Sequence, residues 1–177
     1  MSDKNLLQGF KFFSDLTPEA LDKIASKIEV LEFDTDEIVF RFEDPAEHFY
    51  GLIEGGVELS LIFTDRVLKT EIEYEKAVHA RMVDQERQIV VDAVQPAQVF
   101  GWASIIGSGS RTVTARCTEP SRIFAIPAAE LMAMFDADHT MGYLLIKRMA
   151  DIVSKRLKNR TEKLIETWVE AFDVGEI

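Results

Sequence analysis

The sequence predicts a mainly β protein, an antiparallel β-roll with helices at both ends. Short runs of β-branched and aromatic residues recur through the middle of the chain, and clusters of Asp, Pro and Gly separate them as turns. Helical periodicity is confined to about the first 29 residues and to the residues after Pro127. Because parallel strands need crossover helices between them, strands that follow one another directly favour antiparallel pairing.

Composition limits the classes of function. The chain has 177 residues, 47% of them hydrophobic, which suffices for one ordinary globular domain with its own core. Its net charge of −11 repels phosphate backbones and disfavours a general nucleic-acid binder. Cys117 is the only cysteine, so no internal disulfide is expected and a reducing compartment is favoured. Because no signal peptide or membrane-length apolar window is visible, we expect a cytoplasmic protein without membrane contact.

The N-terminal part is predicted to form two helical segments. The first carries apolar residues at helical spacing, Leu6, Leu7 and Phe10. The second begins with Thr17 as the N-cap and Pro18 at the first helical position, where the missing N–H costs nothing. Its apolar stripe consists of Leu21, Ile24, Ala25 and Ile28. This helix is predicted to end near Glu29.

Short strands fill the middle of the chain. They are predicted at residues 30–33, 38–40, 48–53, 57–63, 88–94, 111–116 and 122–126, with another that ends at Gly101. Gly55 and Gly56 predict a hairpin turn. Residues 64–87 are too charged and too numerous for a tight hairpin. We interpret them as a protruding insertion, for which an extended pair of strands and a short helix both remain open.

The C-terminal part is predicted to be helical. A short helix closes at residues 136–138, and a long one begins near Asp138, which is a suitable N-cap. The apolar stripe of the long helix consists of Leu145, Met149, Ile152, Val153, Leu157, Leu164, Trp168 and Phe172. About 35 residues at roughly 1.5 Å each extend about 50 Å, more than a roll of this size covers. We therefore divide the chain into a roll with its N-terminal helices, residues 1–136, and a helical lid and dimerisation region, residues 137–177. For the first half of the stripe, contact with the chain's own core is an equal alternative.

The segment before the 111–116 strand carries the functional hypothesis. Small residues around Ala103 and Ser104 allow backbone N–H groups to point into a concavity, as in phosphate-binding loops. Arg111 adds a permanently charged, bidentate partner for phosphate oxygens, and Thr112 adds an N–H and a hydroxyl. The alternative is a flexible hairpin at residues 107–110 followed by a solvated arginine.

Four segments in register resemble the cyclic nucleotide-binding domain family, which includes the catabolite activator protein and the regulatory subunit of cyclic AMP-dependent protein kinase. They are residues 12–19, 40–50, 53–59 and 95–111. The resemblance implies an eight-stranded, jelly-roll-like fold and a phosphate-binding cassette between Gly101 and Thr112. It implies a non-enzymatic sensor of cAMP or cGMP that signals, as a homodimer through its C-terminal helix, to an unidentified protein.

The chain departs from the family's pattern at three positions. Trp102 stands where the family has the glutamate that accepts a hydrogen bond from the ribose, and an indole has no acceptor. Three interpretations of the indole remain open. It packs in the core and leaves the pocket usable, it stacks on a planar ligand, or it plugs the cavity. Glu43 and Ala97 replace glycines common in the family's turns, so strain is expected there if the backbone takes positive φ.

The ligand-binding residues carried over from the family, residue by residue, are Gly101, Trp102, Ala103, Ser104, Arg111 and Thr112. Thr112 resembles sites that accept cGMP as well as cAMP, although threonine is also an ordinary strand residue. Scattered histidines predict no metal site, and we expect no catalytic residue and no cofactor beyond the regulatory nucleotide. Because no helix-turn-helix region follows the long helix, a protein rather than DNA is the expected output. The alternative is a degenerate fold, blocked by Trp102, that acts as an assembly module or binds another small anionic ligand.

Overall fold

A computed structural model of the chain describes residues 3–73, 77–107 and 109–173. The helices are α1 (Asp3–Gln8), α2 (Pro18–Ala25), α3 (Ala128–Ala137) and α4 (His139–Asp173), with single 3-10 turns at Lys11–Phe13 and Trp102–Ser104. The strands are β1 (Glu29–Phe33), β2 (Ile38–Phe40), β3 (His48–Glu54), β4 (Val57–Glu73), β5 (Ala77–Val94), β6 (Val99–Phe100), β7 (Thr114–Cys117) and β8 (Ser121–Pro127). The predicted fold class is confirmed, since the strands between the terminal helices pair antiparallel throughout.

The strands form two four-stranded sheets, in the orders β1-β8-β3-β6 and β2-β7-β4-β5. One core lies between the sheets and includes Leu52 and Phe100 from the first sheet and Leu59 and Ala115 from the second. A second core covers the outer face of the first sheet, where the terminal helices pack on Phe124 and its neighbours. The helices at the two ends of the sequence therefore share one hydrophobic cluster.

The prediction of a hairpin turn at Gly55 and Gly56 is wrong. These residues connect β3 to β4, which belong to different sheets, so the turn carries the chain from one layer to the other. Gly55 has a φ of 93°, and a Cβ there would lie 2.3 Å from Ser121 Oγ. Glycine is required because the turn is left-handed and packs directly on β8.

At the N-terminal end, the cap of α2 is confirmed and its predicted end is wrong. The Thr17 side chain accepts a hydrogen bond from the Ala20 amide at 3.2 Å. The helix ends at Ala25, four residues before the predicted Glu29, because Glu29 already pairs with Ala125 in the first sheet. Backbone pairing with β8 thus decides where the helix ends, although Ile28 continues the helical spacing of apolar residues.

The 64–87 segment extends the β4–β5 pair, which is one of the two predicted alternatives. The ladder runs from Val57 opposite Val94 to Glu73 opposite Ala77. Residues 74–76 lie outside the described part of the chain. Near the roll, the ribbon exposes Ile62, Phe63, Ile89 and Val90. The segment is therefore a continuation of two paired strands and not a separate element.

The first half of α4 packs on the chain's own core. Asp138 caps it, since its Oδ1 accepts a hydrogen bond from the Met141 amide at 3.0 Å. Leu145 and Met149 are each 1% exposed, whereas Leu157 is 65% exposed. The apolar stripe therefore changes from buried to exposed midway along the helix. The side chain of Phe172, the last residue of the predicted stripe, lies outside the described residues. Among the helices that the structure describes, none is long and apolar enough to span a membrane.

Candidate ligand-binding cleft

An open cleft lies between the Trp102–Ser104 turn, the segment that precedes β7, and α4. It encloses about 340 Å³, including its solvent-filled mouth. Five of the six sequence-predicted site residues line it: Gly101, Trp102, Ala103, Arg111 and Thr112. Ser104 does not line the cleft, and its hydroxyl donates to the Gly101 carbonyl at 3.0 Å. Ser108, part of the predicted flexible run, lies outside the described residues.

Gly101 fixes the geometry of the cleft floor. It has a φ of 77°, and a Cβ at this position would lie 2.9 Å from Arg111 Nη1 and 2.9 Å from Tyr50 Cδ2. Only glycine permits both the left-handed backbone and this close approach. Its carbonyl accepts a hydrogen bond from Arg111 Nη1 at 2.9 Å, so the end of β6 positions the guanidinium directly.

Arg111 is buried, with 3% of its surface exposed. Its Nη2 donates to the His48 carbonyl at 2.7 Å. The guanidinium carbon lies 4.2 Å from the ring centre of Phe40 and 5.3 Å from that of Tyr50. No carboxylate among the described residues lies within 4.0 Å of it. Backbone carbonyls and aromatic rings therefore hold the cation in place of the acidic partner that a purely structural role would favour.

The Nε atom of Arg111 is buried and has no hydrogen-bond partner among the described residues. Burial lowers the pKa of Arg111, while Tyr50 and the carboxylates of Asp44 and Glu47 act in the opposite direction. Arginine stays protonated at neutral pH even so. The cleft therefore contains a desolvated positive charge with an unused donor, which favours an anionic ligand.

Arg111 does not open a strand, contrary to the sequence prediction. The strand β7 begins three residues later at Thr114. Instead, the Arg111 amide donates to the Asp44 carbonyl at 2.9 Å, and its carbonyl accepts from the Glu43 amide at 2.9 Å. Glu43 has a φ of 68°, and this tight turn keeps its backbone in register with Arg111. The turn after β2 thus fixes the arginine backbone from the other side of the cleft.

Trp102 lies half-buried on the cleft wall and packs on the helical core cluster. The guanidinium carbon of Arg156 lies 4.6 Å from the centre of its ring. The contact with the core agrees with the first of the three sequence interpretations, and the position on the cleft wall agrees equally with the other two. The position where the family has glutamate therefore contacts α4.

Arg156 links α4 to the roll. Its Nε lies 3.1 Å from Asp92 Oδ2, and the two side chains are 12% and 25% exposed. This contact is an ion pair and not a hydrogen bond, because Asp92 Oδ2 has no hydrogen-bond partner among the described residues. Arg156 Nη1 has none there either. Burial lowers the pKa of Arg156, Asp92 opposes this effect, and the charge of Arg160 adds to it.

Arg160 is a site residue that sequence reasoning missed. It lies on α4 and lines the cleft, and Arg156 of the same helix is mostly buried. A signal was available: Arg156 and Arg160 stand seven and eleven residues after Met149, on the same helical stripe as this buried residue. Lys158 and Glu162, on the exposed side of the same helix, form an i,i+4 ion pair at 3.7 Å.

Comparison with known proteins identifies relatives of this fold. A family model described as the cyclic nucleotide-binding domain matches residues 30–138, more than half of the chain. A solved structure from Geobacter metallireducens, named for cyclic nucleotide binding, is 28% identical, with 89% of this chain and 98% of that one covered and a TM-score of 0.63. The sensor domain of the transcriptional regulator DNR from Pseudomonas aeruginosa is 19% identical, with 86% and 94% covered and a TM-score of 0.59. A cyclic nucleotide-binding domain from Methylobacillus flagellatus is 13% identical, with 94% and 82% covered and a TM-score of 0.66. None of the curated proteins compared with the chain matches it.

Proposed function

This chain belongs to the cyclic nucleotide-binding domain family, and we propose that it is a non-enzymatic regulatory domain whose cleft takes a cyclic nucleotide, cAMP or cGMP. One observation carries the proposal: Arg111 is a buried cation with an unpartnered Nε on the wall of an open cleft. Leaving such a donor unsatisfied costs about 1–3 kcal/mol, which an anion in the cleft would recover.

The phosphate is placed at Arg111, with Gly101, Ala103 and Thr112 around it. The base points towards α4, and the ribose lies near Trp102. Because an indole offers no acceptor, the ribose hydroxyl loses a hydrogen bond that the family's glutamate makes. That loss is worth about 1–3 kcal/mol, so the affinity is about one to two decades below that of a site with glutamate.

Occupancy is transmitted through α4. This helix contributes Arg160 to the cleft and contacts its wall through Arg156 and Trp102. A ligand that contacts both the roll and the helix binds the docked arrangement better than an undocked one, and so shifts the population towards it.

The output surface is the second half of α4. Apolar residues are exposed there, namely Leu157, Leu164, Ile165 and Val169. Exposed apolar residues repeated along one helix favour association with a second helix, and we propose that a second copy of the chain provides it. The net charge of −11 disfavours nucleic acid as the downstream target, so the proposed output partner is another protein.

Calorimetric titration with cAMP and cGMP tests the proposal. Wild-type protein is expected to release binding heat with at least one of them, and Arg111→Met is expected to abolish that heat. Methionine keeps an apolar stem between Phe40 and Tyr50, and circular dichroism checks that the variant is folded. Arg122→Met, which removes an arginine whose side chain is 48% exposed on β8, is the matched control and should bind like wild type.

The second candidate is an assembly module that binds no nucleotide. Trp102 on the cleft wall favours it, as does the use of both Arg111 Nη atoms by backbone carbonyls. Folded wild-type protein that gives no heat with either nucleotide would support this candidate and contradict the sensor.

A further inference from the structure

Two arginines line the cleft from opposite sides, and none of the described residues that line it carries a carboxylate. Arg111 belongs to the roll, and Arg160 to α4. This concentration of positive charge stands in a chain with a net charge of −11. A cleft of one sign with apolar walls attracts ions of the other sign, because the low dielectric strengthens the local field.

Arg160 has no structural role that explains its position. It is exposed, and among the described residues its side chain makes no hydrogen bond or ion pair. It also stands one helical turn from Arg156, and its positive charge opposes that of the Arg156 guanidinium, which is paired with Asp92. Like charges at this spacing repel, and an anion in the cleft beside Arg160 relieves this repulsion.

A cyclic mononucleotide brings one negative charge, which suffices for Arg111 alone. The cleft also offers few acceptors for ribose hydroxyls, since the Trp102 side chain only donates and the Thr112 hydroxyl is the one side-chain acceptor among the described residues of its lining. Recognition therefore rests on charge more than on sugar hydroxyls. We infer that the cleft prefers a nucleotide with two anionic phosphate groups, one bound by Arg111 and the other by Arg160.

The empty space of about 340 Å³ includes the open mouth of the cleft, so its volume does not choose between ligands of different size. This inference rests on the proposed function, since it names the ligand class of the same cleft.

The test compares two ligands that share one base and the same two ribose oxygens. Adenosine 3′,5′-cyclic monophosphate carries one phosphate on those oxygens, and adenosine 3′,5′-bisphosphate carries two. Wild-type protein titrated at fixed salt is expected to bind the bisphosphate about tenfold more tightly or better, as a charge-assisted hydrogen bond predicts. Arg160→Gln is expected to remove this preference, because the affinity for the bisphosphate falls more than the affinity for the cyclic nucleotide.

Lys163→Gln is the matched control, because it removes one positive charge from α4 at a position that does not line the cleft. Its bisphosphate preference should equal that of wild type. Equal affinity for the two ligands in wild type, or a preference that survives Arg160→Gln, overturns the inference and leaves the proposed function standing. Absence of binding by both ligands overturns the proposed function itself, and this inference with it.

Discussion

The guanidinium of Arg156 lies 4.6 Å from the centre of the Trp102 ring, so a helix residue and a cleft residue are in direct contact. Trp102 replaces the glutamate of the family's pattern, and the substitution changes what this position contacts. A glutamate accepts a hydrogen bond from ligand, whereas the indole presents a face to a cation of α4. The contact couples helix and cleft even when no ligand is bound.

Arg156→Met is expected to lower the free energy of unfolding by about 1–3 kcal/mol. The change leaves the partly buried carboxylate of Asp92 without its ion-pair partner and removes the cation from Trp102. Urea unfolding followed by circular dichroism measures the loss. The double variant Arg156→Met with Asp92→Asn should recover part of it, because no unpaired charge remains. A double variant less stable than the single one would contradict the role given to the ion pair.

Ala97→Gly is expected to raise the free energy of unfolding by about 0.5–1 kcal/mol. Ala97 has a φ of 66°, where an L residue with a Cβ is strained and glycine is not. The Ala97 amide keeps its hydrogen bond to the Leu52 carbonyl, so little else changes. Thermal and urea unfolding both measure the gain.

Gly109→Ala is the reverse experiment. This glycine has a φ of 78° and open space around the position of a Cβ, so the substitution adds backbone strain without a clash. A loss of about 1 kcal/mol is expected. If Gly109→Ala and Ala97→Gly both raised the free energy of unfolding, or both lowered it, the argument from φ would be contradicted.

The alkaline stability of the fold is expected to depend on Cys117. Burial raises the pKa of its thiol, with Ser121 acting in the opposite direction. Below the ordinary thiol pKa of about 8.5, both states are protonated and the thiol contributes no pH dependence. Above it, the unfolded chain loses the proton and the folded chain keeps it. The free energy of unfolding therefore falls with pH, by at most about 1.4 kcal/mol per unit from this group.

Urea unfolding at pH 7.5, 8.5 and 9.5 measures this slope. Cys117→Ala should flatten the slope above pH 8.5, whatever its effect on stability at pH 7.5. A slope that is the same in both proteins would show that another group is responsible.

The sequence predicted the roll because alternation and turn residues are local signals. Ile38–Phe40 was predicted with the observed bounds, and positive φ was anticipated at Glu43 and Ala97. The hairpin at Gly55 was wrong because the glycine pair signals a sharp turn and not which sheet receives the next strand. Sheet membership depends on contacts between residues far apart in the chain, which local spacing does not contain.

The cleft was predicted only on the side that the roll provides. Gly101 and Arg111 are ten residues apart, so a local sequence pattern predicts both. Arg160 is far from them in the sequence and lines the cleft only because α4 packs beside it. Arginine is ordinarily a surface residue, so its charge hides the fact that Arg156 is buried against Asp92 and Trp102 on the inner stripe of α4. A helical wheel anchored on Met149 would have placed both arginines inward.

Leu164→Glu is expected to convert the proposed homodimer to a monomer. Leu164 is 59% exposed on α4, and a charge in an apolar helix seam is desolvated without a partner. Sedimentation equilibrium measures the mass of the assembly. Asn159→Glu is the matched control, since it adds the same charge on another face of the same helix. A wild-type monomer at micromolar concentration, or equal dissociation in both variants, would contradict the proposed seam.

Trp102→Glu is expected to increase the affinity for cAMP by about one to two decades. The carboxylate restores an acceptor for the ribose hydroxyl, and Arg156 is close enough to hold it. Trp102→Leu separates the two effects of the indole, because it removes the bulk without adding an acceptor. Tighter binding in Trp102→Glu alone identifies the missing acceptor as the cause, and equal gains in both variants identify steric obstruction. No gain in either folded variant would contradict the placement of the ribose beside residue 102.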